Sequence, residues 1–85
     1  MILIDRMGHM VSTENAEELH AFAGKLGLKR IWYQAPGYGE KYSHYDLTTG
    51  RMRSKASRLG AKMVTPKELV KAAWWQKGAG SGLHT

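Results

Sequence analysis

Ile2-Leu3-Ile4, followed at once by Asp5 and Arg6 and then by His9, opens the chain with a compact, β-branched-rich run that ends in chemically capable side chains. A short apolar run of this kind reads as a buried strand. Working outward, the pattern returns twice: Ile31-Trp32-Tyr33 leads into Gln34 and onward to His44, Tyr45 and Asp46, and Met63-Val64 leads into Thr65. Helical periodicities separate the runs, so the order reads strand, helix, strand, helix, strand, helix. Right-handed crossovers then favour an α/β fold: a small three-stranded parallel sheet, order 2-1-3, flanked by about three helices, with the first strand central. Ligands of such sheets gather at the carboxyl ends of the strands, where helix N-termini point their free N–H groups. That edge is the expected place of function.

The helices have recognisable starts and stops. Ser12 or Thr13 is placed to cap the first, Glu14, Glu17 and Glu18 favour the positive end of its dipole, Leu19, Phe22, Ala23 and Leu26 make one apolar face, and Gly27 ends it. Lys29–Gln34 reads as the second strand, stopped by Pro36, Gly37 and Gly39 and followed by a loop of about ten residues. From Thr48 or Thr49 a second helix carries Met52, Ala56 and Leu59 on one stripe and stops at Gly60, with Gly50 weakening its first turn. Ala61–Val64 is the third strand. Thr65-Pro66-Lys67-Glu68 is a strong helix start: hydroxyl cap, proline at the first position, glutamate three residues after the cap. Leu69, Val70, Ala73 and Trp74 continue that helix.

At 85 residues and 9.5 kDa the chain is sized for one domain, expected over residues 1–77 with a mobile glycine-rich tail over 78–85. A chain so short buries only about 60–65% of its unfolded surface, so association with a second copy would help it. The absence of cysteine removes disulfides, thiolate metal sites and cysteine nucleophiles together. No apolar run approaches the roughly 18 residues that span a bilayer, and the start is unlike a secretory leader. The expectation is a soluble cytoplasmic protein with no membrane partner. Thirteen Lys and Arg against seven Asp and Glu give a net charge of +6, which draws nucleic acid, nucleotides or acidic protein surfaces.

Several groups have chemistry to offer, each with a plainer reading beside it. Asp5 and Asp46, with His9 and His44, could ligate a divalent ion such as Mg or Mn, yet the same residue types are ordinary helix caps and turn formers. Ser43-His44-Tyr45-Asp46 precedes a basic helix, so an anion there would meet imidazole, phenol, helix N–H groups and Arg51 or Arg53. Otherwise Asp46 caps a turn, Tyr45 packs and His44 meets a backbone carbonyl. The candidate ligand-binding set is Asp5, Arg6, His9, Gln34, His44, Tyr45, Asp46, Arg51 and Arg53, with His44, Asp46 and Asp5 as catalytic candidates. His20, about 10–12 Å into the first helix at 1.5 Å per residue, fits a structural hydrogen bond or a subunit contact better than catalysis. Arg51, Lys55 and Arg58 share a helix face that could follow a phosphate backbone or simply be solvated. Tyr38 and Tyr42 could stack on a ring or anchor a partner, and the adjacent Trp74 and Trp75 cannot both face one core. No phosphate loop, H-E-x-x-H, G-x-S-x-G or dinucleotide fingerprint occurs.

Ile4-Asp5, His9-Met10-Val11-Ser12, Glu18-Leu19-His20-Ala21-Phe22-Ala23, Leu26-Gly27, Trp32 with Gln34, His44-Tyr45-Asp46 and Leu59-Gly60-Ala61 together resemble an uncharacterised family of short phage and bacterial domains, domain-of-unknown-function family 4031. The resemblance covers most of residues 1–70. It implies a phage-associated accessory protein, in the host cytoplasm if phage-encoded, and supplies no reaction; Asp5, His9, Gln34, His44, Tyr45 and Asp46 fall within its motifs.

Three functions are then in play. The leading one is binding of a phosphate-bearing ligand, a nucleotide or nucleic acid, at the Asp5, His9, His44, Asp46 edge. Next is a metal-dependent phosphoesterase or nuclease, with Asp5 and Asp46 on the metal and His44 or His9 moving protons. Third is a non-enzymatic inhibitor that grips an acidic host protein through the tyrosine-rich loop and a tryptophan of Trp74-Trp75.

Overall fold

A computed structural model describes residues 1–34 and 43–73. The loop tyrosines Tyr38 and Tyr42, the Trp74-Trp75 pair and the 78–85 tail lie outside the described residues. The elements are β1 (Ile2–Ile4), β2 (His9–Ser12), α1 (Ala16–Leu26), a 3-10 turn (Arg30–Trp32), β3 (Tyr45–Asp46), α2 (Gly50–Arg58), β4 (Lys62–Met63) and α3 (Pro66–Ala72).

The fold is α/β with three helices, as expected, but the sheet is four-stranded and mixed, ordered β3-β2-β1-β4. The parallel sheet of order 2-1-3 is therefore corrected. Its surviving part is the parallel pair of β1 with β4, in which Leu3 meets Lys62 and Ile4 meets Met63. β1 is interior, flanked by β2 and β4.

Two local events make the difference. First, Asp5-Arg6-Met7-Gly8 is a tight turn, closed by the Gly8 N–H on the Asp5 carbonyl at 3.1 Å, and it folds β2 back antiparallel to β1. Asp at the first and Gly at the fourth position suit such a turn. Ser12 thus ends a strand instead of capping a helix; Asn15 is the cap, accepting from the Glu18 N–H at 2.8 Å. Second, Lys29–Gln34 does not form the expected strand. Arg30–Trp32 winds into a 3-10 turn with Ile31 83% exposed, and only Gln34 pairs, in an isolated antiparallel bridge to His44. The strand in that region is the His44-Tyr45-Asp46 motif itself, whose Tyr45–Asp46 pair along β2. Strand preference needs a pleated, half-buried surface to pack against, and Ile31 and Trp32 have none.

The sheet is covered on both faces. On one, Ile2, Ile4, Met10 and Tyr45 pack with Leu19, Phe22, Ala23 and Leu26 of α1 and Ala56 of α2. On the other, Leu3 and Val11 pack with Leu69 of α3 and Ala73 beyond it. This is the period-2 alternation of a strand buried on both sides. Thr49 caps α2 by accepting from the Met52 N–H, and Gly27 closes α1 in the left-handed conformation.

The start of α3 is as expected: Thr65 Oγ1 accepts from the Glu68 N–H at 3.1 Å, and Glu68 Oε1 accepts from the Thr65 N–H at 3.3 Å. Thr65→Ala removes the hydroxyl half of this box while its backbone N–H can still reach Glu68, and should lower stability by about 1 kcal/mol, measured by urea denaturation with an unchanged m-value.

Candidate functional site

β1, β3 and β4 all point the same way, since β4 is parallel to β1 while β2 is antiparallel to both β1 and β3. Their carboxyl ends and the start of β2 share one rim. Asp5 follows β1, His9 begins β2, Asp46 ends β3 and stands opposite His9, and Thr65 lies just past β4. The alternation that sends Val11 to the α3 face sends His9 there too, with its cross-strand partner Asp46. The structure thus brings Asp5, His9, His44 and Asp46 together.

Asp5 is 1% exposed and its acceptors are filled locally. Oδ1 accepts from the N–H groups of Met7 at 2.9 Å and His9 at 3.0 Å, while Oδ2 lies 3.0 Å from His9 Nδ1. Asp5 therefore builds the turn and aims the His9 ring. The half-buried ring is gripped at one nitrogen, which leaves Nε2 as the atom for chemistry. Beside it stands the His44 ring, edge-on with centroids 5.5 Å apart. His44 is 4% exposed, with Nε2 3.5 Å from Asp46 Oδ1, and Gln34 Nε2 donates to Asp46 Oδ2 at 2.7 Å. The layout is two His–Asp pairs meeting at their rings. Among the described residues no group of three or more His, Asp or Glu is arranged to hold a metal ion.

The basic candidates differ in where they stand. Arg53, half-buried, donates through Nη1 to the Leu47 carbonyl at 3.3 Å, beside the Gly8 turn. Arg51 is exposed on the first turn of α2. Arg6 is exposed and borders a separate cleft of about 380 Å³ with Met63, Thr65 and Glu68. Tyr45 does not reach the rim: its ring is in the core on the α1 face.

Tyr45 instead meets His20, whose Nδ1 is 2.8 Å from the Tyr45 hydroxyl and whose ring stands edge-on to Tyr33 at 4.4 Å. Of the two roles expected of His20, a structural hydrogen bond or a subunit contact, the bond to Tyr45 is the first. Burial first, and the charge of Arg30 second, hold the His20 pKa below its ordinary 6.5. Burial likewise pushes the Tyr45 hydroxyl upward. The folded state favours neutral His20, so between the depressed value and 6.5 the unfolded chain binds the extra proton. Stability from this group is complete above 6.5 and falls as pH drops below it. Thermal melts from pH 7.5 to 5 should show that decline, and His20→Gln should flatten it.

One cleft has no counterpart among the sites expected from the sequence. A hollow of about 440 Å³ lies against the β3 end of the sheet, with Leu28, Ile31, Trp32 and Met52 as apolar wall and Gln34, Asp46 and Thr48 as polar wall. Trp32 is 47% exposed and Lys29 Nζ lies 5.7 Å from its ring centroid. Trp32 and Gln34, two residues apart, would share one face of a strand; the 3-10 turn and the bridge of Gln34 to His44 instead set both on this hollow. Among the described residues no helix is long and apolar enough to cross a membrane.

A family model described as Protein of unknown function (DUF4031) matches residues 3–75. No curated protein and no solved structure matches the chain.

Proposed function

As the chain belongs to the DUF4031 family, whose description assigns no reaction, we infer from the rim itself that the protein binds a phosphate-bearing ligand, a nucleotide or nucleic acid, beside His9. The observation that carries this reading is the fully buried Asp5 carboxylate gripping a half-exposed histidine. Burying a carboxylate is unfavourable unless its oxygens are filled. Here the filling groups include the ring that faces the rim, so the buried acid fixes His9 in orientation. A protonated His9 offers Nε2–H to a phosphate oxygen, and Arg53 adds charge beside the Gly8 turn of the same rim. The net charge of +6 brings anions to the molecule, whereas the oriented imidazole makes one place on it selective.

Calorimetric titration with inorganic phosphate, a mononucleotide and a short oligonucleotide at two salt concentrations tests this. Saturable binding is expected, and His9→Ala should weaken it about tenfold or more, the loss of one charge-assisted hydrogen bond. Equal binding by wild type and His9→Ala, both folded by circular dichroism, would remove the reading.

A second reading is favoured by the same contact. With the proton of neutral His9 held at Nδ1 by Asp5, the Nε2 lone pair is positioned to accept a proton from water or a hydroxyl, as a general base for phosphoester hydrolysis does. Turnover of a chromogenic phosphodiester that disappears in His9→Ala would separate this reading from binding alone. The acidic-host-protein reading rests on residues outside those described and gains no support from the rim.

A further inference from the structure

We propose that the cleft between the 3-10 turn and α2 is a base subsite selective for guanine. This rests on the phosphate-ligand reading only for what lies next to the base. The cleft's volume of about 440 Å³ is in the range of small-molecule sites, and its wall is the mixture such sites use. Ile31 and Trp32 stand 83% and 47% exposed at the mouth of this hollow. Trp32 presents an aromatic surface of the kind on which bases stack, with Met52 and Leu28 lining the same hollow.

The polar side of the cleft selects the base by being rich in acceptors. Gln34 donates its amide N–H to Asp46 Oδ2, which leaves the Gln34 carbonyl oxygen as an acceptor. Asp46 is 44% exposed, its carboxylate has room for further donors beyond Gln34 and His44, and it lines the cleft. A carboxylate accepts best from two parallel N–H groups. Among the nucleic-acid bases only guanine presents two adjacent donors on one edge, N1–H and the N2 amino group. Adenine and cytosine present one amino group beside an acceptor, and a carboxylate facing that acceptor is repelled. Asp46 also stands directly across from His9, so a base held there leaves its phosphate on the side of the histidine rim.

Calorimetry with nucleosides isolates this subsite from the phosphate. Guanosine, inosine and adenosine are titrated into the full chain, with inorganic phosphate as a separate arm. Guanosine should bind about tenfold or more tightly than inosine, which lacks only the N2 amino group, and more tightly than adenosine. Asp46→Asn should abolish the preference, since an amide replaces one acceptor with a donor, and Trp32→Ala should weaken every nucleoside. The guanosine–inosine comparison uses wild-type protein, so it decides the matter even if a variant misfolds. Equal binding of guanosine and inosine, or no nucleoside binding, overturns the proposal. Phosphate binding that depends on His9 without any nucleoside binding would overturn the base subsite alone; nucleoside binding without phosphate binding would overturn the rim reading alone.

Discussion

Gly8→Ala should destabilise the fold by about 3 kcal/mol or more, the largest effect of any single methyl addition in the turn. Gly8 has φ of 93°, a conformation that costs an L-residue about 1–2 kcal/mol. In addition, a Cβ there would lie 2.5 Å from the Leu47 carbonyl oxygen, a backbone atom that cannot swing aside. The approach is close because the Leu47 N–H donates to the Gly8 carbonyl at 2.6 Å, which ties the turn to the residue after β3. Relief of the overlap would pull that bond apart and move Asp46 away from His9. For a domain of this size 3 kcal/mol is a fall in Tm of about 12–24 °C, readable by calorimetry. A fall under about 3 °C would show that the turn yields and that its link to β3 is weak.

Asp5→Ala should cost about 3 kcal/mol, because it leaves the Met7 and His9 N–H groups and His9 Nδ1 without their acceptor in a site that is 1% exposed. Asp5→Asn is the informative companion. Its carbonyl oxygen can still accept from the turn, so most of the stability should remain, while an amide NH2 replaces the oxygen that meets His9 Nδ1 and the ring loses its fixed orientation. Urea denaturation of the pair, together with phosphate titration, separates turn from site. Asn retaining stability but losing binding is the expected result; Asn matching wild type in both would reduce Asp5 to a turn residue.

Much of the helical framework was legible because helix signals are local. Thr65-Pro66-Lys67-Glu68 specifies its own cap, and Leu19, Phe22, Ala23 and Leu26 repeat at helical spacing on α1. The first and last strands were legible for the same reason, and their parallel pairing followed from the helices between them. β2 was not, because Met10 and Val11 are two apolar residues between His9 and Ser12, each buried on a different face, and no alternation is visible in so short a run. Lys29–Gln34 misled for the opposite reason: Ile31, Trp32 and Tyr33 favour a strand by type, but only Gln34 found a partner. The rim survived both errors. The antiparallel hairpin delivers His9 to the end of β1 that a parallel sheet would have given to the second strand, and the motif read as a loop supplies the strand that lies beside it. The cleft at Trp32 was invisible because it depends on where the 3-10 turn places its side chains.

Long-range ¹H–¹⁵N spectra of the imidazole groups, recorded as inorganic phosphate or guanosine monophosphate is added, test the account at its centre. The chain has four histidines, which such spectra resolve individually. Saturable movement of the His9 Nε2 signal is predicted, accompanied by a response at His44 and none at His20, which is held by Tyr45 on the other face of the sheet. A His9 signal that stays fixed while ligand saturates, or equal small shifts at every histidine, would contradict the placement of a ligand site at this rim.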